Sequence, residues 1–98
     1  MKYIPNPIDT SKVAIDHNLL KIAETLAKNT HENWAEERLK NGWSYGPKRN
    51  DRLKRHPNLV SYDELPEAEK ELDRRTSMEA LKLIQLLGYD IIKSNRSE

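Results

Sequence analysis

A chain of 98 residues with 36% hydrophobic and 34% charged side chains, two Trp, four Tyr and no Phe can build one modest core, burying roughly 60–70% of its unfolded surface. It has no cysteine, which removes disulfides and thiolate zinc sites, and no stretch nears the ~18 apolar residues of a membrane span or the apolar core of a signal peptide. A cytoplasmic protein is expected. Self-association is expected too, because so small an apolar supply is thin for a lone monomer.

The formal charge of +1 conceals two opposed blocks. Lys48, Arg49, Arg52, Lys54 and Arg55 stand against Asp51 alone, and the segment Asp63 to Asp73 carries six acids against Lys70. Such polarity bears on partners, not on fold.

In chain order, Pro5 and Pro7 keep residues 3–10 extended, because each lacks an amide donor and biases its predecessor away from helix. Residues 1–15 are therefore expected to form an arm on the body of a single domain spanning 1–98. From about His17 to Lys40, Leu19, Ile22 and Leu26 recur at helical spacing, with Asp16 as N-cap and Gly42 as the stop. Gly42 to Asn58 reads as an ordered loop, long enough to be functionally suspect. Leu59 to Tyr62 is expected to form a short strand, and Pro66 to open a short helix reaching about Leu72. Thr76 and Glu79 have capping-box spacing, predicting a last helix from Ser77 to Leu87 closed by Gly88. Tyr89 to Ile92 would add a strand beside Leu59 to Tyr62, and residues 93–98 are expected to fray.

On the long helix, Ala27, His31, Trp34 and Arg38 fall at spacings of four, three and four, along one face. Such a row suits a planar, partly anionic ligand, with an indole for stacking, an imidazole for a hydrogen bond and a guanidinium for charge. Trp34 as a half-buried core indole is the equal alternative. Trp43, Tyr45 and Arg49 extend the theme beyond Gly42, whereas Arg52 to Arg55 read more simply as a solvated basic loop. The acids from Asp63 to Asp73 are expected to be a solvated face. His17, His31 and His56 are too scattered for a metal motif, and no nucleophile elbow or phosphate-cradling glycine loop occurs. No enzyme and no cofactor are expected. Nucleic-acid binding, the remaining use for the basic loop and its aromatics, is disfavoured by the near-neutral net charge.

Several segments together resemble a known pattern. They are Tyr3-x-Pro5-x-Pro7-Ile8-Asp9-Thr10, Leu26-Ala27-x-Asn29-x-His31-x-x-Trp34-Ala35-x-x-Arg38 and Gly42-Trp43-x-Tyr45-Gly46-Pro47. With them go His56-Pro57-x-Leu59-Val60-x-Tyr62, Leu65-Pro66-Glu67-x-Glu69-Lys70, Asp73-Arg74 and Leu87-Gly88-Tyr89. The chain resembles a single ryanodine-receptor repeat, the RyR domain, over nearly its whole length. The resemblance implies a mainly α fold with two principal antiparallel helices, a short extra helix and small β elements. It implies a homodimer imitating the paired repeats of the calcium-release channels, and a ligand of adenine-nucleotide type. The pocket role falls on Trp34, followed by His31, Arg38, Trp43, Tyr45 and Arg49. It does not imply a channel, since the ion pathway of the receptors lies outside the repeat. A structural protein-interaction module without a small ligand is the alternative function.

Overall fold

The structure is a computed structural model describing residues 2–94. It is mainly helical: α1 (His17–Leu20), α2 (Ala23–Lys40) and α3 (Glu67–Leu86), with two-residue strands β1 (Ser44–Tyr45) and β2 (Arg55–His56) and a 3₁₀ turn at Tyr62–Glu64. The two long helices pack antiparallel: Thr30 of α2 meets Ser77 of α3, Oγ1 to Oγ 3.4 Å, while Trp34 and Arg38 lie across a cavity from Asp73 and Glu69.

The helix expected from His17 to Lys40 is broken in two. Asp16 does cap its start, its carboxylate accepting the Asn18 amide at 2.8 Å. At Ile22 (φ −101°, ψ 7°) the chain makes a tight turn, the Ile22 amide bonding the Leu19 carbonyl, before α2 begins. No glycine or proline marks this break in the sequence. The stop at Gly42 is as expected, with φ +88°, a region that disfavours L side chains.

The Gly42–Asn58 segment contains the β structure, contrary to expectation. β1 and β2 pair in parallel, Ser44 with Arg55 and Tyr45 with His56. Between them the chain turns back through an antiparallel bridge from Asn50 to Arg55, in which each amide bonds the other's carbonyl at 2.9 Å. The Asn50 side chain accepts the Leu53 amide, and Lys54 sits at φ 56° with its ammonium on the Asn41 carbonyl.

Neither Leu59–Tyr62 nor Tyr89–Ile92 forms a strand. Side chains hold the first of these segments instead: His31 takes the Val60 carbonyl, and Tyr62, 2% exposed, donates its hydroxyl to Glu24. The two helices expected at Pro66–Leu72 and Ser77–Leu87 are one. Thr76 and Glu79 lie inside α3 and do not cap; the Glu79 carboxylate accepts the Thr10 hydroxyl at 2.8 Å, pinning the arm. Ser77, also interior, returns its hydroxyl to the Asp73 carbonyl, so neither hydroxyl residue interrupts the helix. Gly88, at φ +102°, ends it. Of the tail expected to fray, residues 95–98 lie outside the described residues.

Among the described residues the buried apolar core comprises Ala27, Tyr62 and Leu65, with Val60 against it. Beside it Arg74 ties the helices together, its guanidinium reaching Glu24 of α2 at 2.6 Å and Glu67 and Glu71 of α3 at 2.9 and 3.0 Å. Arg74, then the Tyr62 hydroxyl, hold the Glu24 carboxyl below its ordinary range.

Candidate functional site

One face of α2 runs outward from this core. Ala27 is fully buried, His31 is 4% exposed, and Trp34 and Arg38 are half-buried. The last three line a cavity of about 340 Å³ together with Arg49 and His56 from the β segment, Asn58 and Leu65 beyond it, and Glu69 and Asp73 of α3.

Each lining group is positioned differently. The His31 Nε2 lies 2.7 Å from the Val60 carbonyl, which can only accept, so that nitrogen carries the proton. Its ring stacks with Trp34 (centroids 5.6 Å apart, planes at 27°). The His56 ring meets Trp34 edge-on at 4.9 Å and Trp43 at 6.2 Å. The His56 Nδ1 accepts the Asn58 amide at 3.0 Å, so a neutral His56 keeps its proton on Nε2. Burial, then the nearby Arg49 and Arg38 charges, push its pKa below the ordinary histidine value. The shift favours the neutral ring.

Arg38 lies over two indoles, its guanidinium carbon 5.4 Å from the Trp34 centroid and 4.6 Å from that of Trp43. Its N–H groups have no hydrogen-bond partner among the described residues. Arg49 is turned by Asp51, with Nε to Oδ1 at 2.8 Å. Across the cavity, burial raises the Asp73 carboxyl above its ordinary pKa, with a smaller push from Glu69. Neither acid's carboxylate accepts a hydrogen bond among the described residues. The cavity is therefore split, with guanidinium groups on one wall and carboxyl groups on the other.

Of the six residues singled out from the sequence, His31, Trp34, Arg38 and Arg49 line this cavity, and Trp43 supports Arg38 from behind. Tyr45 is elsewhere. It is 56% exposed and lines a separate groove of about 680 Å³ with Ala35, Leu39, Leu59 and Val60, because the parallel pairing sends alternate residues of β1 to opposite sides. His31, cast as a ligand contact, has its Nε2 committed to the backbone. His56, Glu69 and Asp73 were missed. The spacing of four between Glu69 and Asp73 was the available signal, since it puts both on one helix face; a solvated face describes the exposed Asp63, Glu64, Glu67 and Glu71 but not these two. Arg52, Lys54 and Arg55 are exposed and lie off the cavity.

Among the described residues no cluster of His, Asp and Glu is arranged to hold a metal ion, and no helix is long and apolar enough to cross a membrane. The sequence profile of the RyR domain family matches residues 3–93, and the family is a non-enzymatic one. The match takes in the arm, both long helices and every residue lining the cavity, and with the two-helix architecture it places the chain in the RyR domain family.

Proposed function

We propose that the protein is a non-catalytic binding module whose cavity takes a small planar ligand with a donor-rich end and an anionic end, of the adenine-nucleotide type. The observation that carries this reading is Arg38. A guanidinium held over two indole rings, with its donors unspent, is suited to receive an anion, because the ring contacts restrain it without consuming its hydrogen bonds. Arg49 adds a second cation on the same wall. On the other wall Glu69 and Asp73 offer acceptors for an exocyclic amine. A volume of about 340 Å³ falls at the small end of ligand pockets, which run from about 300 to 1,000 Å³, and favours a mononucleotide over a dinucleotide.

A second reading follows from the crowding of Trp34. His31, His56 and Arg38 already touch its ring, so the cluster could serve only to brace α2 against the β segment for a protein interface. Titration calorimetry with AMP, ATP, adenosine and GMP separates the two. Adenine nucleotides are expected to bind more tightly than GMP, and AMP more tightly than adenosine. Arg49→Gln, at an exposed position, should weaken AMP by about tenfold to a hundredfold, the range for losing one charged hydrogen bond. Absence of heat with every ligand up to millimolar concentration sinks the ligand reading and leaves the brace.

A further inference from the structure

The groove lined by Tyr45 shares no residue with the Trp34 cavity. Its apolar surface comes from Ala35 and Leu39 of α2 and from Leu59 and Val60 of the segment before the 3₁₀ turn. Leu39 is 59% exposed and Tyr45 56%. Val60 is held in place, its carbonyl bonded to His31 at 2.7 Å.

Two further features give this groove a polarity and a backbone edge. Glu32 and Glu36 stand one turn apart on its α2 side, both exposed. Among the described residues neither carboxylate pairs with a cation or accepts a hydrogen bond. Lys40 marks the other end of the same side, so a cation is favoured beside the two acids and disfavoured beside Leu39. The edge belongs to β1. The Ser44 and Gly46 amides turn to β2, bonding the Lys54 and His56 carbonyls at 2.9 and 3.4 Å. Hydrogen-bonding direction alternates along a strand, so the Tyr45 amide and carbonyl face the opposite, unpaired edge. The free edge and the groove meet at Tyr45.

We propose that this groove takes an extended peptide segment of a partner protein, which pairs with the Tyr45 backbone and carries a Lys or Arg two positions from an aliphatic residue. Main-chain bonds at the strand edge would hold the segment, and alternate side chains would give it specificity. Alternate residues of a strand share a face about 6.6 Å apart, so an aliphatic side chain reaching Leu39 and Val60 puts the basic one near Glu36. From Glu32 to Lys40 the α2 side runs about 12 Å, at 1.5 Å per residue, the length of about four extended residues.

Phage display of random nine-residue peptides against the full chain provides the test, followed by calorimetry and amide NMR with the synthesised winners. Enriched sequences should share a Lys or Arg two positions from Leu, Ile or Val, and the Tyr45 amide resonance should move downfield on binding. Replacing that basic residue by Glu in the peptide should weaken binding by about tenfold to a hundredfold. So should Glu32→Lys with Glu36→Lys in the chain, at exposed positions that leave the circular dichroism unchanged. Arg49→Gln, on the Trp34 cavity, should leave the peptide affinity unaltered. The proposal is overturned if no sequence is enriched over a Leu39→Lys control, or if the winners lack the basic residue or bind the double variant equally. A peptide that binds as a helix also overturns it. So does a Tyr45 amide shift that follows the concentration of the chain alone, which would mean that a second copy covers the groove. Whether any nucleotide binds has no bearing on these outcomes.

Discussion

The guanidinium of Arg38 lies 4.6 Å from the centre of the Trp43 ring, which joins the end of α2 to the residue just after the Gly42 turn. Lysine in this position keeps the charge but loses the planar group that two indoles can clasp. Arg38→Lys should cost about 1 kcal/mol in urea unfolding, the scale of a partly desolvated cation–ring contact. The tryptophan emission should shift to the red as both rings gain water. AMP affinity should fall by about tenfold, and a full retention of affinity would remove Arg38 from the site.

His31 is expected to matter more for stability than for ligand. Its Nε2 satisfies the Val60 carbonyl at 2.7 Å in a position only 4% exposed. His31→Ala removes the bond and opens a space beside Ala27, Tyr62 and Leu65. A loss of about 2–4 kcal/mol is expected from the unpaired carbonyl and the void together. His31→Gln, which can still place an amide donor near Val60, should recover part of that loss. Chemical denaturation of the three proteins checks the order.

What could be read from the sequence was what depends on near neighbours. The Asp16 cap, the positive-φ stops at Gly42 and Gly88 and the extended arm at Pro5 and Pro7 are each set by one or two residues. The row from Ala27 to Arg38 was legible because helical spacing alone defines a face. The Thr76 and Glu79 spacing misled because the same two residue types also fit inside a helix, and the partner of Glu79 is Thr10, 69 positions away. The acid wall was illegible for a related reason. Glu69 and Asp73 differ from their solvated neighbours only in facing α2, and that depends on how two distant helices cross. The break at Ile22 and the pairing of β1 with β2 rest on backbone hydrogen bonds that no residue type announces.

Two groups of the cavity should give opposite pH signatures. His56 has a lowered pKa in the fold, mainly through burial, so between that value and its unfolded pKa near 6.5 the unfolded chain binds more protons. Its contribution to stability is complete above about pH 6.5 and is lost as the pH falls through the folded value. Asp73 has a raised pKa in the fold, again mainly through burial. Its contribution is complete below the ordinary aspartate value and is lost as the pH rises through the folded one. Ionising Asp73 therefore costs stability. Asp73→Asn should raise the melting temperature at pH 7 and have little effect near pH 3, while weakening AMP binding at neutral pH. A melting temperature that falls at pH 7 would show that Asp73 is held by favourable contacts instead.

Gly46 is required by a close approach, not by an unusual backbone angle. It is buried, its amide bonds the His56 carbonyl at 3.4 Å, and a Cβ built on it would come within 2.7 Å of the Arg55 Cβ. Side-chain swivelling cannot relieve that contact, because the Arg55 Cβ is fixed to the paired strand. Gly46→Ala should force β1 and β2 apart at a cost of about 1–3 kcal/mol. The displacement would carry His56 with it, since His56 follows Arg55 directly in β2. Thermal melts should register the lost stability. The His56 proton resonances should show the pKa returning toward its ordinary value as the ring gains water. By contrast Gly88→Ala, with nothing within 4 Å of its added carbon, should destabilise through its φ of +102° alone and leave the His56 titration unchanged. Matching His56 titrations in the two variants would mean that the Gly46 contact does not set the position of that ring.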